Sequence, residues 1–200
     1  MTSHRDLPGP RDSTDSADAA PAPSAPDDPV DAAPGVTRSG DVGPADIATL
    51  TEQLGRAPRG VVGVAARCVC GRPTVVRTAP RLPDGTPFPT TYYLTHPRAV
   101  AAVSTLEASG VMREMTQRLE EDPELAAAYR AAHEDYLRRR AELGEVPEIA
   151  GISAGGMPGR VKCLHVLVGH ALAAGPAVNP LGDEALALLA VHWRPDACTC

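Results

Sequence analysis

The feature that most constrains this chain is the stretch 151–175, GISAGGMPGRVKCLHVLVGHALAAG, in which a glycine-rich loop runs directly into an apolar segment. The apolar residues of that segment recur at helical spacing and predict a helix with a striped apolar face that packs in the core. Much of the chain's reactive chemistry lies in this stretch or can be folded back onto it. The predicted helix carries Lys162, Cys163, His165 and His170.

Residues 1–43 differ in composition from the remainder of the chain. They hold eight Asp, three Arg and seven Pro, with no Glu or Lys, and carry a formal charge of about −5 out of the chain's −6. A segment with so few large apolar residues cannot bury enough surface to offset the entropy lost on ordering. We therefore expect a disordered acidic tail, followed by a single nearly neutral domain over residues 44–200.

The pattern of the remaining residues alternates short strands with longer helices. Apolar spacing and helix-start residues predict helices after Pro44, Pro97 and Asp122, and after either Asn179 or Asp183, in addition to the helix in 151–175. Three short β-branched or aromatic runs, VVGVAARCV, TVVRT and TTYYLT, predict strands joined by tight turns. The fold class that follows is α+β, with a small, mostly antiparallel sheet packed by five or six helices.

Composition disfavours two classes of partner. A nearly neutral domain with a single Phe and a single Trp offers neither a basic stripe nor a stacking platform for nucleic acid. The N-terminal sequence has no apolar signal region, and no apolar run approaches the roughly 20 residues of a membrane span. We expect a soluble cytoplasmic protein that binds no membrane, in which the five cysteines are thiols or metal ligands rather than disulfides.

Thiols and imidazoles form the strongest candidate site. Thiolate and imidazole ligands together suit zinc, which takes four of them, with an iron–sulfur cluster as the alternative. Helical geometry allows Cys163 to share a site with His170 or with His165, but not with both. The alternatives are that Cys163 is a packed core residue and that the last two cysteines belong to a flexible end. The candidate metal ligands are Cys68, Cys70, Cys163, His165, His170, Cys198 and Cys200.

The glycine-rich loop is a second candidate site, for an anion. Backbone amides, the positive end of the following helix and two cationic side chains can together hold phosphate or carboxylate. The loop does not match the Walker A pattern, and the alternative is a connecting loop with a solvated basic end. Ser153 and Cys163 are also conceivable nucleophiles near His165. The candidate anion-binding residues are Ser153, Gly155, Gly156, Arg160 and Lys162.

Several segments carry a family resemblance. They are RCVCGRPTVV, LPDGTPFPTTYYLTHP, STLEASGVM, the stretch 151–175, VNPLGDEAL and the closing W…CTC. Together these segments, over about residues 45–200, resemble the bacterial and mainly actinobacterial domain-of-unknown-function family 501. The resemblance implies a small cytoplasmic bacterial protein and supplies no reaction. Members often lie beside a gene for an exopolyphosphatase-like enzyme, which favours a phosphate-related role.

Three functional hypotheses follow from the sequence. The leading one is a metal-binding protein, with zinc in either a structural or a catalytic role. The second is a hydrolase or transferase whose phosphorylated or carboxylated small-molecule substrate binds the glycine-rich loop. The third is a thiol redox switch formed by the two Cys-x-Cys pairs, 68–70 and 198–200.

Overall fold

The computed structural model describes residues 38–198 and residue 200, and within these it contains one four-stranded sheet and six α-helices. The strands are antiparallel and lie in chain order, β1 (Arg38–Gly40), β2 (Val61–Arg67), β3 (Pro73–Thr78) and β4 (Tyr92–Leu94). The helices are α1 (Pro44–Leu54), α2 (Pro97–Ala108), α3 (Val111–Glu121), α4 (Pro123–Ala141), α5 (Leu164–Ala174) and α6 (Pro180–Leu189). The predicted α+β class, with its small antiparallel sheet and six helices, is confirmed.

The predicted tail lies outside the described residues up to residue 37. Strand β1 falls inside the range assigned to that tail and pairs with β2, with Arg38 opposite Ala66 and Gly40 opposite Val64. Ordered structure therefore begins before residue 44. The three residues of β1, Arg-Ser-Gly, contain no apolar side chain, so hydrophobic alternation gave no signal for this strand.

Most helix boundaries follow from the residue types that cap them. Gly55 ends α1 with a φ of 66°, a backbone conformation that glycine adopts without strain. The side chain of Asp122 accepts hydrogen bonds from two amides at the start of α4, and Asn179 accepts one at the start of α6. Helix α5 starts later than expected, because Cys163 is its N-cap and Lys162 precedes it.

Helix α5 is the centre of the core. Leu164 and every residue from 166 to 172 are buried, and the helix packs against β4, α2 and α6. The sequence predicted a helix with a single apolar stripe. Instead, α5 is covered on nearly all sides, so it has no polar face towards solvent. Glycines allow the close packing: a Cβ on Gly169 would lie 3.3 Å from the Tyr92 carbonyl oxygen, and one on Gly182 would lie 2.5 Å from that of Leu167.

Tyr136 ties α4 to the segment that leads into β4. Its side chain is fully buried, and its hydroxyl accepts a hydrogen bond from the Thr91 amide at 2.6 Å. The hydroxyl also donates to the Pro89 carbonyl at 3.3 Å. One phenol group thus satisfies a buried backbone donor that lies just outside the sheet ladder.

None of the helices in residues 38–198 combines the length and the apolar character that a membrane span needs.

Replacing Tyr136 with Phe should lower the free energy of unfolding by about 1–3 kcal/mol, because the buried Thr91 amide loses its partner. Chemical denaturation followed by circular dichroism measures the change. Tyr93→Phe is the matched control, since Tyr93 is 37% exposed, and it should change stability by less than about 0.5 kcal/mol. Equal stabilities of the two variants would show that the hydrogen bond to Thr91 contributes nothing.

Candidate metal centre

Four of the five cysteines meet at one place, although two of them lie about 130 residues from the others. The sulfurs of Cys68, Cys70, Cys198 and Cys200 all lie within 4.8 Å of one another. The Cys200 sulfur is 3.5 Å from that of Cys70 and 3.7 Å from that of Cys68. Sulfurs around tetrahedral zinc, with bonds of about 2.3 Å, are about 3.8 Å apart. We name this group the four-cysteine centre, and it can hold a metal ion.

The turn between β2 and β3 positions the first two cysteines. Cys68 follows the last residue of β2, and its amide bonds to the Arg72 carbonyl at 2.8 Å. The Gly71 amide closes the turn on the Cys68 carbonyl, and Gly71 has a φ of 89°. This glycine turns the chain so that both thiols face the same point, as the sequence suggested.

The segment after α6 brings the other two cysteines back to this turn. The Trp193 amide bonds to the Leu189 carbonyl, and the indole is buried, 5.6 Å from the His96 ring. Trp193 therefore anchors the chain beside the start of α2. From this anchor the chain reaches Cys198 and Cys200 at the four-cysteine centre.

The thiols of Cys68, Cys70 and Cys200 have different surroundings, which shift their pKa values in different ways. The Arg72 amide donates to Cys70 and lowers the pKa of that thiol to about 7. Burial raises the pKa of the Cys68 thiol, and burial also raises the pKa of Cys200. Thiolates this close together repel one another, so a bound cation is needed before all four can ionise.

His96 contacts the four-cysteine centre from the start of α2. It is 1% exposed, and its Nδ1 accepts the Ala99 amide as the helix cap. Burial lowers the pKa of His96 and so favours the neutral ring. Because Nδ1 is the acceptor, the proton lies on Nε2, which is 3.2 Å from the Cys200 sulfur. His96 therefore donates a hydrogen bond to a candidate ligand and does not compete for the metal.

The remaining cysteine belongs to a second group. The Cys163 sulfur is 3.9 Å from Nδ1 of His165, and the same nitrogen is 3.2 Å from the Glu107 carboxylate. The hydrogen bond with Cys163 raises the pKa of His165 against the effect of burial, and the charge of Glu107 adds to the increase. Sequence reasoning missed Glu107, because nothing in its own neighbourhood distinguishes it from a solvated helix residue.

The two groups lie at opposite ends of α2. His96 precedes the helix and Glu107 lies in its last turn, so about 16 Å separates them at 1.5 Å per residue. A single ion cannot bind both groups. The pooled ligand set that the sequence suggested thus divides into four cysteines at one end, and Cys163 with His165 at the other.

His170 lies apart from both groups, in the core. Its Nε2 donates to Asp135 at 2.9 Å, and its Nδ1 accepts from the Asn179 side-chain amide at 3.3 Å. The ring stacks on Tyr92, with centroids 5.6 Å apart. Burial lowers the pKa of His170 and favours the neutral ring. Since both nitrogens are engaged by these hydrogen bonds, His170 serves the packing of α5 against α4 and α6.

The glycine-rich loop closes on itself. The Lys162 amide donates to the Gly155 carbonyl at 2.7 Å, and the Arg160 amide donates to the Gly156 carbonyl at 3.2 Å. The first amide of α5, at Leu164, donates to Glu107 at 2.6 Å. A carboxylate of the chain thus occupies the helix end that an external anion would use, and the predicted anion site gains no support from this geometry.

Ser153 also has a different partner from the one considered in the sequence. Its hydroxyl is buried and lies 2.9 Å from Nδ1 of His133 on α4. The same hydroxyl donates to the Met157 carbonyl at 3.3 Å. Ser153 therefore pairs with His133 on α4, whereas the hydrogen-bond partners of His165 are Ser104, Glu107 and Cys163.

Comparison with known proteins gives a family and no activity. The model of the family described as "Protein of unknown function (DUF501)" matches residues 64–187, more than half of the chain. The chain belongs to this family. None of the curated proteins and none of the solved structures matches it.

The DUF501 match is shorter than the sequence resemblance suggested. It includes Cys68, Cys70 and all three residues of the group at the far end of α2, and it ends before Cys198. The closing W…CTC lies beyond the match and gives no support to the family assignment. Bacterial and actinobacterial origin stays a prediction from the resemblance.

Replacing Gly155 with Ala should lower the free energy of unfolding by about 2–5 kcal/mol. Gly155 has a φ of 73°, and a Cβ there would lie 2.7 Å from Cδ1 of Leu167 on α5. The left-handed backbone costs Ala about 1–2 kcal/mol, and overpacking adds about 1–3 kcal/mol. Gly159→Ala is the control in the same loop, since its added Cβ meets nothing within 4 Å. Urea unfolding measures both, and an unchanged midpoint for Gly155→Ala would contradict the packing role.

Proposed function

We propose that this protein binds one zinc ion at the four-cysteine centre and that this zinc is structural. The observation that carries the proposal is the convergence of four sulfurs from two distant segments. The Cys200 sulfur lies 3.5 Å from that of Cys70 and 3.7 Å from that of Cys68. Packing of apolar residues does not require four thiols to meet. Four protein ligands fill the tetrahedral shell of zinc, which is the pattern of structural sites.

The compactness of the centre favours a single ion over an iron–sulfur cluster. A cluster places several irons and bridging sulfides inside its cysteine cage, whereas these sulfurs lie within 4.8 Å of one another. A lone thiolate-bound iron also fits this size, so metal identity is an outcome of the experiment. The proposed role is to hold the segment after Trp193 against the β2–β3 turn.

The other two hypotheses receive less support. The enzyme hypothesis depends on an anion bound at the start of α5, where Glu107 already accepts the first amide. The redox hypothesis uses the same four thiols as the proposed zinc centre. All five cysteines are free in the structure, so none of them forms a disulfide there. A metal-free protein that gains a disulfide between the two Cys-x-Cys pairs would favour the redox switch.

The double variant Cys70→Ser, Cys200→Ser should bind one zinc fewer per chain than the wild-type protein, measured by plasma mass spectrometry after dialysis. We also expect Tm to fall by roughly 5–10 °C, since each kcal/mol corresponds to about 2–4 °C for a domain of this size. Val69→Ser is the control, because Val69 is exposed between two of the ligands. Equal metal content in the wild-type protein and the double variant would contradict the proposal.

The variant His96→Asn should weaken zinc binding at this centre by about 10–100-fold, as expected when a hydrogen bond to a ligand is lost. Asn is a good helix cap, so α2 should keep its stability. Its shorter side chain cannot reach the Cys200 sulfur. Competition with a chromophoric chelator measures affinity, and His192→Asn, at an exposed position, is the control. An unchanged affinity would show that the contact between His96 and Cys200 does not stabilise the bound form.

A further inference from the structure

The strongest unassigned feature is the group at the far end of α2, Glu107, Cys163 and His165. One ligand atom from each lies within 4.8 Å of the other two. All three residues are partly buried. The group combines a carboxylate, a thiol and an imidazole, so it offers three different zinc ligands.

The separations fit one tetrahedral ion. With zinc bonds of about 2.0–2.3 Å, a nitrogen and an oxygen ligand are about 3.3 Å apart, and a nitrogen and a sulfur about 3.6 Å. The corresponding distances here are 3.2 Å from His165 to Glu107 and 3.9 Å from His165 to Cys163. These two separations are therefore within a few tenths of an ångström of those around a shared ion, and the Cys163 sulfur and the Glu107 carboxylate lie within 4.8 Å of each other.

The surroundings of His165 also suit metal binding. Its Nδ1 faces both Glu107 and Cys163, and its Nε2 lies 3.4 Å from the Ser104 hydroxyl. A metal-bound histidine commonly donates its other ring N–H to a fixed acceptor, which orients the ring. Ser104 provides that acceptor from the same helix as Glu107.

The same geometry argues against a catalytic triad. In a triad the histidine uses one nitrogen for the nucleophile and the other for the carboxylate. Here Cys163 and Glu107 lie at the same nitrogen of His165, so the ring cannot relay a proton between them. Three ligand atoms that converge on one point are better explained by a cation at that point.

We propose that Glu107, Cys163 and His165 form a second zinc site with three protein ligands. Binding releases the thiol proton of Cys163 to solvent and leaves the fourth position of the ion to water or a small ligand. Three protein ligands with one open position is the pattern of reactive zinc sites, in contrast to the closed four-cysteine centre. Glu107 also lines an open groove of about 520 Å³ with Arg113 and Thr116, so one of the three ligands borders space that a small molecule can enter.

The experiment is equilibrium dialysis of the full chain against a buffered excess of Zn²⁺, with bound metal counted by plasma mass spectrometry. The wild-type protein should bind two ions per chain. Glu107→Gln, Cys163→Ser and His165→Gln should each reduce the count to one. Glu107→Gln keeps an acceptor for the Leu164 amide, so it tests the charged ligand without uncapping α5. His192→Gln is the control and should keep two ions.

Co²⁺ substitution provides a second measurement that does not depend on the count alone. Cobalt bound by four thiolates absorbs more strongly in the sulfur-to-metal charge-transfer region than cobalt bound by one. Cys163→Ser should therefore remove the weaker set of bands and leave the stronger set. Loss of both sets together would place Cys163 in the four-cysteine centre and overturn the proposal.

The outcomes for the two sites are distinguishable. Removing Cys70 and Cys200 tests only the four-cysteine centre, and the second ion should remain bound in that variant. If that variant fails to fold, the variants Glu107→Gln, Cys163→Ser and His165→Gln in the wild-type background still test the second site. An ion count that stays at the wild-type value in both Cys163→Ser and His165→Gln would overturn the second site, whatever the first centre binds.

Discussion

The burial of α5 is the constraint on which the remaining structure depends. A helix that is covered on nearly every side must have small residues wherever another backbone crosses it. Gly169 meets this requirement at β4, and Gly182 meets it where α6 crosses α5. Gly155 does the same for the preceding loop. Of the two glycines that suggested an anion cradle in the sequence, Gly155 packs against α5, whereas a Cβ on Gly156 would lie 2.7 Å from the Arg160 carbonyl oxygen within the loop.

Helix α2 separates the two candidate metal groups. His96 is the N-cap of α2 and contacts Cys200. Glu107 lies in the last turn of α2 and accepts a hydrogen bond from the first amide of α5. A rigid rod of about 16 Å between these residues keeps the groups independent. If both sites bind zinc, one holds the segment after Trp193 in place and the other keeps a coordination position open for chemistry.

Local sequence signals predicted most of the elements, and they failed where the deciding contact was distant. Asp122 was recognised as a helix start, and Asn179 as one of two candidates beside Asp183, because a capping side chain acts within its own turn. Strand β1 was missed because pairing with β2, and not its own residues, makes it a strand. His170 was grouped with the metal ligands, although its partners Asp135 and Asn179 belong to other helices.

Local residue patterns were enough to predict the α+β class, most of the helices and two Cys-x-Cys pairs with metal-ligand chemistry. These properties depend on periodicity, capping and residue type, which are encoded within a few neighbouring positions. Only the tertiary structure decided which thiols meet, that Cys163 belongs with Glu107 and His165, and that His96 contacts Cys200. Those pairings depend on the path of the chain around α5, because residues more than 50 positions apart become neighbours only once that helix is buried.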